Sequence, residues 1–422
     1  MQRFKIHTLG CKVNQYEGQG IREQLMEAGY QEAKPGEAAE LVVVNSCTVT
    51  AEADRESQYW VRRLKRDNPS CQVLFTGCGA ATVKTEADWV VPHEKKSSIV
   101  EIISGCFEST GLGRRDFAEQ PVSTLSNRQR AFLKIQDGCD NICSFCKIRI
   151  ARGPSRSRQL GEIIEEASRL VQNGHGEIVL TGILLGRWGQ DLSDKSKLVR
   201  VLEKLCDIEG LERIRLSSIE PEDITDELID FAASHQQICP HFHVPLQSGD
   251  DEILKAMRRN YDSQFYIGRI EQLRERISQF CLTCDVMVGF PGETEQHKQN
   301  TLATLKRVQP LKIHFFPYSQ RKGTYAEKMP NQLSTEQKKS RLREMADALQ
   351  PIHEAVRRQF IGHTVDVLVE DASEKDLTSA RSVGRAHNYL RVFSNELLEP
   401  GSRANFLLQD LHHDGLWGKL IS

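Results

Sequence analysis

The segment "GCDNICSFCKIRIARGPSRSR" (138–158) places Cys139, Cys143 and Cys146 close together, directly after "FLKIQ" (132–136), an apolar run typical of a strand. Thiolates select zinc, copper(I) or iron–sulfur clusters. A structural zinc site needs four ligands, and no nearby Cys or His supplies a fourth at the spacing of a zinc finger. A four-iron cluster also usually takes four cysteines, so three cysteines leave one iron open to another ligand. The segment therefore predicts a metal centre with an open coordination position.

The composition is that of an ordinary globular protein. The 422 residues carry a formal net charge of -2, and 39% of them are hydrophobic. This length allows two or three domains, and the charge balance means that any nucleic-acid contact must come from local patches. The N-terminus lacks the pattern of a signal peptide, and no apolar run has the length of a membrane helix. We therefore predict a cytoplasmic protein without membrane association, whose 12 cysteines are metal ligands or buried side chains.

Strand-like and helix-like segments alternate in the first part of the chain. Strand patterns occur at 4–9, 41–45 and 72–77, and helical patterns occur near 15–28 and 51–66. Such alternation is typical of a parallel sheet and predicts an α/β domain.

One cysteine follows each of these three strands: Cys11, Cys47 and Cys78. Because ligands bind at the carboxyl ends of parallel strands, three thiols that are far apart in sequence should converge at one edge of the sheet. This pattern predicts a second centre with three thiolate ligands. The alternative is three buried or loop cysteines that bind nothing, since lone cysteines are commonly buried.

A second alternation of strands and helices follows. The six strand candidates are 132–136, 177–182, 213–218, 241–246, 282–290 and 312–319. They predict an incomplete parallel (β/α)6 barrel, with the cysteine segment at the face where active sites lie. Beyond a long charged helix, short apolar runs separated by turn residues predict a small all-β barrel.

The whole chain is therefore predicted to be an α/β protein in four parts. The N-terminal three-cysteine domain spans 1–108, a polar linker spans 109–130, the partial barrel spans 131–360 and the C-terminal β-barrel spans 361–422.

The spacing C-x-x-x-C-x-x-C resembles the signature of radical S-adenosylmethionine (SAM) enzymes. Longer motifs resemble one family among them, the methylthiotransferases, over essentially the whole chain. These motifs are "TLGCKVNQYE" (8–17), "VVNSCTVT" (43–50), "RSRQLGEI" (156–163), "HFHVPLQSGDDEILKAMRRNY" (241–261), "DVMVGFPGETE" (285–295) and "FFPYSQRKGT" (315–324). The final barrel is similar to a TRAM domain, an RNA-binding module.

The resemblance implies two [4Fe–4S] clusters, one on each set of three cysteines, and SAM as cofactor. One SAM would give a methyl group to a sulfur held at the N-terminal cluster, and a second SAM at the barrel cluster would yield the radical that activates the substrate. The resemblance also implies tRNA as partner, an electron donor such as flavodoxin or ferredoxin, and a sulfur donor.

The resemblance further implies which residues lie near SAM or substrate, although it assigns no catalytic side chain. These residues follow predicted strands or the cluster motif, and they are Phe145, Gly182, Gly186, Ser218, Glu220, Gln247 and Gly289.

The stretch "LGCKVNQYE" (9–17) is similar to the members that act on N6-threonylcarbamoyladenosine beside the tRNA anticodon, with Lys12 and Val13 as the distinguishing residues. This similarity implies that a methylthio group is added at C2 of that base. One alternative is the same chemistry on isopentenyladenosine in tRNA or on a ribosomal protein. Another is a non-catalytic, metal-containing RNA-binding protein.

The densest positive charge near the predicted site comes from Lys147 and four arginines, Arg149, Arg152, Arg156 and Arg158. We predict that they contact phosphates of an anticodon stem-loop. The alternative is a solvated loop with structural ion pairs.

Overall fold

The computed structural model describes residues 2–105, 121–123 and 129–421. Within these ranges, no helix combines the length and the apolar character that a membrane span requires.

The N-terminal part is a five-stranded parallel sheet in the order β2–β1–β3–β4–β5. Its elements are β1 (Arg3–Thr8), α1 (Lys12–Glu27), β2 (Gln31–Glu32), β3 (Leu41–Ser46), α2 (Ala51–Asp67), β4 (Gln72–Gly77), β5 (Trp89–Val90) and α3 (Ile99–Ser104). Every residue of the central strand β3 is buried, as is typical of a parallel strand covered on both faces. Strands β1, β3 and β4 are neighbours, so their carboxyl ends lie side by side. The α1 helix begins at Lys12, three residues earlier than predicted, and Cys11 is its N-cap residue.

The central part contains six parallel strands with helices outside them. Its elements are β6 (Ala131–Lys134), β7 (Gln136–Asp137), α4 (Ile148–Arg152), β8 (Arg156–Ser157), α5 (Leu160–Gln172), β9 (Glu177–Thr181), α6 (Leu198–Cys206), β10 (Arg213–Leu216), α7 (Asp226–Ser234), β11 (His241–His243), α8 (Asp251–Ala256), α9 (Ser263–Arg276), β12 (Cys281–Val288), α10 (Glu295–Val308) and β13 (Lys312–Pro317).

The six parallel strands form two groups, β6–β9–β10 and β11–β12–β13, which a parallel bridge between Ser218 and His243 connects. The short strands β7 and β8 form a separate antiparallel pair. Strand β13 does not pair back to β6 among the described residues, so the barrel is incomplete. Side chains alternate along each strand. In β12, Cys284 and Val286 pack in the outer core, whereas Asp285 faces the barrel interior.

The C-terminal part is a closed five-stranded barrel in the order β14–β15–β16–β18–β17. Its elements follow the long helix and are α11 (Thr335–Arg358), β14 (Thr364–Glu370), α12 (Glu374–Leu377), β15 (Ser382–Ala386), β16 (Arg391–Ser394), β17 (Arg403–His412) and β18 (Gly415–Ile421).

This small barrel packs against the end of the central barrel where its strands begin. Arg213 at the start of β10 donates to the Asp366 carbonyl at 2.7 Å, and His241 at the start of β11 stacks on Tyr389 with ring centroids 4.1 Å apart. The opposite end of the central barrel, where the cysteine segment lies, is therefore left to the N-terminal sheet.

The predicted fold class is confirmed: an N-terminal parallel α/β sheet, an incomplete parallel barrel and a small closed β-barrel. The predicted linker, 109–130, lies mostly outside the described residues. The four domain boundaries stay a prediction.

Candidate functional site

The first three predicted ligands lie together at the carboxyl edge of the N-terminal sheet. Cys11, Cys47 and Cys78 follow β1, β3 and β4, and we call them the N-terminal thiol group. A Cβ atom placed on Gly10 would lie 2.6 Å from the Cys47 sulfur, so the loop that carries Cys11 packs directly over Cys47. Burial is the main cause that raises the pKa of Cys47 to about 12, and the charges of Cys78 and Cys11 contribute to the increase. The three thiols are thus within electrostatic reach of one another.

One buried amide holds the three loops of this group in place. The Asn14 side chain donates to the Leu9 and Ser46 carbonyls, each at 2.8 Å, and so connects the loops that carry Cys11 and Cys47. Its oxygen faces the Cys78 sulfur at 3.8 Å. Sequence analysis missed Asn14, because an asparagine inside a helix gives no local sign of which loops its side chain contacts.

The other three predicted ligands form a second cluster between β7 and α4. We call Cys139, Cys143 and Cys146 the barrel thiol group. The loop is anchored to the end of α8, where the Ser144 amide donates to the Met257 carbonyl at 3.0 Å. Burial raises the pKa of Cys139 to about 12 and that of Cys146 to about 11. Such buried thiols ionise readily only when a metal offsets the cost of burying their charge.

A cavity of about 370 Å³ lies against both cysteine-bearing loops. One wall consists of residues 48–50, which directly follow Cys47, and another contains Phe145 and Cys146. The barrel strands complete it with Gln247, Asp285, Met287, Phe316 and Tyr318. Of the six predicted ligands only Cys146 lines the cavity itself, which adjoins the N-terminal thiol group through the loop after Cys47.

Gln247 is the predicted cofactor residue whose environment best fits a bound ligand. It is 9% exposed, lines the cavity and has a left-handed backbone with φ of 62°. Such a conformation costs a non-glycine residue about 1–3 kcal/mol. Its Oε1 atom is buried without a hydrogen-bond partner among the described residues. A buried, unpaired acceptor is costly unless a ligand donates to it, so the residue fits a ligand with an N–H or O–H group.

The other predicted cofactor residues that are not glycines have different surroundings. Phe145 lines the cavity, and Glu220 pairs with Arg259, which itself contacts the barrel thiol group. Ser218 forms the backbone bridge to His243.

The three predicted glycines are explained by contacts with other protein side chains. A Cβ on Gly182, Gly186 or Gly289 would contact Gln136, Asp223 or Lys338 respectively. None of the three lines the cavity of about 370 Å³. Their placement near SAM stays a prediction.

Three of the four arginines that were predicted to contact RNA are buried, so the prediction is wrong for them. Arg152, Arg156 and Arg158 are 3%, 5% and 3% exposed. Arg149 is exposed and donates to the Asp140 carbonyl at 3.2 Å, and its contact with RNA stays a prediction.

The buried arginines instead bind carboxylates of the protein itself. Arg152 donates to Glu17 at 2.6 Å and to Asp137 at 3.0 Å. Arg158 donates to Glu166 at 2.6 Å. These partners lie on α1, β7 and α5, and the Arg152–Glu17 pair joins the N-terminal sheet to the barrel.

Glu17 is at the centre of this buried network. Arg152, Lys134 and Lys96 all form ion pairs with it. Burial alone would raise the pKa of Glu17, but the charges of these three cations hold it well below its usual range. The carboxylate is therefore ionised in the folded protein and is fully paired.

Comparison with known proteins agrees with this architecture. Residues 133–305 match the radical SAM superfamily, and residues 3–108 match a family described as uncharacterized protein family UPF0004. The threonylcarbamoyladenosine tRNA methylthiotransferase MtaB of Bacillus subtilis is 36% identical over 406 residues, which cover 93% of this chain and 90% of that protein. The tRNA-2-methylthio-N(6)-dimethylallyladenosine synthase of Desulfitobacterium hafniense is 32% identical over 439 residues, which cover 98% and 97%.

A solved structure shares the fold. The radical SAM methyltransferase TsrM of Kitasatospora setae, with cobalamin and a [4Fe–4S] cluster bound, aligns with a TM-score of 0.55 and 14% sequence identity over 75% of this chain and 72% of that one.

The barrel and its three-cysteine loop define a radical SAM enzyme. More narrowly, the chain belongs to the tRNA methylthiotransferase family. It is a transferase that uses SAM and [4Fe–4S] clusters as cofactors.

Proposed function

We propose that this protein adds a methylthio group to C2 of N6-threonylcarbamoyladenosine beside the anticodon of tRNA. The cavity that touches both cysteine-bearing loops is the observation that carries the proposal, because a transfer between two centres needs one shared space. The identity of 36% to the relative from Bacillus subtilis, whose name states this substrate, supports the choice of base.

In this proposal each thiol group holds one [4Fe–4S] cluster with an open iron. With its clusters and SAM bound, the site would supply the methyl group, the sulfur and the radical that the reaction requires. The protein's own residues position the reactants: Gln247 offers a buried acceptor, and Phe145, Met287 and Phe316 give the cavity an apolar wall that excludes water.

The polar inner wall of the barrel is evidence that the modified base carries a polar substituent. Asp285 lines the cavity and lies 3.2 Å from His243 and 3.4 Å from His314, measured between nitrogen and oxygen. Thr283 orients His243 through a contact of 2.9 Å. Such a wall offers hydrogen-bonding groups to the hydroxyl and amide of a threonylcarbamoyl group, whereas an isopentenyl group has no polar atom that could use them.

Lys12, the sequence feature that first favoured this substrate, begins α1 directly after Cys11 of the N-terminal thiol group. Its side chain is exposed. A cation beside that thiol group supports binding of a carboxylate-bearing substituent.

The partners follow from the proposed reaction. They are the anticodon stem-loop of tRNA, an electron donor such as flavodoxin or ferredoxin, and a sulfur donor. Because tRNA is found in the cytoplasm, the enzyme would act there.

Mass spectrometry of tRNA nucleosides tests the proposal. In a strain that lacks this protein, 2-methylthio-N6-threonylcarbamoyladenosine should disappear and its unmodified precursor should increase by the same amount. Restoring the gene should reverse both changes. Loss of 2-methylthio-isopentenyladenosine instead would favour that alternative substrate, and an unchanged nucleoside pattern would overturn the proposal.

A glycine in the Cys11 loop gives a local test of the N-terminal centre. Gly10 has φ of 90°, and a Cβ there would lie 2.6 Å from the Cys47 sulfur. We expect Gly10→Ala to lower the iron content of the reconstituted protein from about eight towards about four atoms per chain, because the side chain displaces one ligand.

The control is Gly36→Ala. Gly36 has nearly the same φ, 88°, but a Cβ there meets no atom within 4 Å. Both variants carry the left-handed backbone cost of about 1–2 kcal/mol, so only the first should lose iron. Equal iron contents would contradict the proposed ligand set.

A further inference from the structure

Each thiol group is contacted by one buried arginine. The Nε atom of Arg152 lies 3.1 Å from the Cys78 sulfur, and the Nη1 atom of Arg259 lies 3.2 Å from the Cys143 sulfur. Their side chains are 0% and 4% exposed. The two sites, which are built on different sheets, therefore share the same N–H···S arrangement.

Arg152 is held in this position by other groups before any cluster binds. Its Nη1 atom donates to Glu17 and Asp137, and its Nη2 atom donates to Asn14 at 2.8 Å. Only the Nε–H remains for the sulfur. The carboxylates therefore fix the direction in which the guanidinium presents its charge.

Arg259 is fixed in a similar way. It forms an ion pair with Glu220, and its Nε atom donates to the Tyr261 hydroxyl at 3.2 Å. One Nη atom then remains for Cys143. The partners differ from those of Arg152, but the result is the same: a rigid cation is directed at one sulfur.

A hydrogen bond and a positive charge at a ligand sulfur favour the reduced form of an iron–sulfur cluster. Reduction adds one electron and makes the sulfur atoms more negative, so an N–H donor interacts more strongly with the reduced cluster. Both arginines are buried, so water screens their charges little. Their effect on the potential should therefore be large for a single side chain.

Arg152 also crosses between the two parts of the molecule. It lies on α4, which begins just after Cys146, yet its sulfur contact is Cys78 of the N-terminal thiol group. The loop that carries the barrel thiol group therefore provides the cation for the other centre.

We propose that Arg152 and Arg259 are positioning residues that raise the reduction potentials of the clusters at the N-terminal and barrel thiol groups respectively. This inference rests on the proposed cysteine ligands, but not on which nucleoside is modified.

The test is a redox titration of each cluster, in which electron paramagnetic resonance spectroscopy measures the amount of reduced cluster. The full-length, reconstituted protein is titrated with dithionite and mediators. When the cysteines of one thiol group are replaced by alanine, only the cluster at the other thiol group gives a signal.

We expect Arg152→Gln to lower the ratio of reduced to oxidised N-terminal cluster about tenfold at a fixed potential, which corresponds to a midpoint about 59 mV lower. Arg259→Gln should shift the barrel cluster by a similar amount. Each variant should leave the other cluster nearly unchanged, because it removes a contact to one sulfur only.

Two neighbouring arginines serve as controls. Arg156 is buried in the same network and bonds Asp137 at 3.0 Å, and Arg258 adjoins Arg259 but is exposed and stacks on Tyr325. No hydrogen bond joins either side chain to a sulfur in the described part of the chain, so Arg156 controls for a buried charge and Arg258 for a nearby exposed one. Arg156→Gln and Arg258→Gln should each give less than half of the corresponding shift.

Because Arg152→Gln leaves two buried carboxylates with less compensation, Arg152→Lys provides a second variant. Lysine retains the charge but lacks the planar set of donors. The midpoint potential of Arg152→Lys should therefore fall by less than that of Arg152→Gln. Shifts no larger than those of the controls, or equal shifts of both clusters, would overturn the inference. A wild-type protein that holds far fewer than about eight irons would instead refute the ligand assignment.

Discussion

Replacing Cys139, Cys143 and Cys146 with alanine should reduce the iron content of the reconstituted protein by about half, from about eight to about four atoms per chain, and should abolish reductive cleavage of SAM. The reason is that, in the proposed function, the barrel thiol group provides the open iron for SAM, whereas the N-terminal thiol group lies on a separate sheet. Iron analysis and measurement of 5′-deoxyadenosine check both expectations.

The reciprocal variant should behave differently. Replacing Cys11, Cys47 and Cys78 should also remove about four irons, yet 5′-deoxyadenosine should still form, because the barrel thiol group is intact. The methylthio nucleoside should be absent. This contrast separates the two roles that are proposed for the clusters.

A matched triple variant controls for the loss of buried thiols. Cys71, Cys239 and Cys281 are buried cysteines outside both thiol groups. Replacing them with alanine should leave the iron content and SAM cleavage unchanged. If this variant lost as much iron as the others, or if either ligand variant retained all its iron, the assignment of the six ligands would fail.

Replacing Glu17 with glutamine should destabilise the folded protein by about 3–5 kcal/mol, because three cations would remain buried around a neutral amide. The N-terminal sheet should also separate more readily from the barrel, since Arg152 and Lys134 belong to the barrel and Glu17 to α1. Chemical unfolding and limited proteolysis measure the two effects.

A more exposed ion pair in the same N-terminal part is the control. Arg22 and Glu32 lie 2.9 Å apart, and the Glu32 side chain is 40% exposed. Glu32→Gln should change stability by no more than about 1 kcal/mol, because water screens this pair. If Glu17→Gln and Glu32→Gln lowered the free energy of unfolding by similar amounts, burial would not explain the effect at Glu17.

The pH dependence of the Glu17 effect has a defined sign. The pKa of Glu17 in the folded protein lies well below its unfolded value of about 4.3. Its stabilising contribution is therefore complete above that value and is lost as the pH falls through the lower, folded pKa. The difference between the wild-type protein and Glu17→Gln should shrink in acid and stay constant near neutral pH.

Local patterns in the sequence were sufficient for the fold class and for the gathering of the cysteines. Strand and helix periodicity predicted the parallel sheet and the six-stranded partial barrel, because alternation of buried residues is a property of neighbouring positions. The cysteines after β1, β3 and β4 were predicted to converge, because parallel strands bring their carboxyl ends to one edge.

The tertiary structure alone decided what the charged residues do. Arg152 looked available for RNA, yet it binds Glu17, which is 135 positions away in the sequence. Asn14 gave no local signal, and neither did the contact between Asp285 and His314 across two strands. A charged side chain becomes buried and paired, or stays exposed, according to which distant segments fold against it. Neighbouring residues in the sequence do not determine which segments these are.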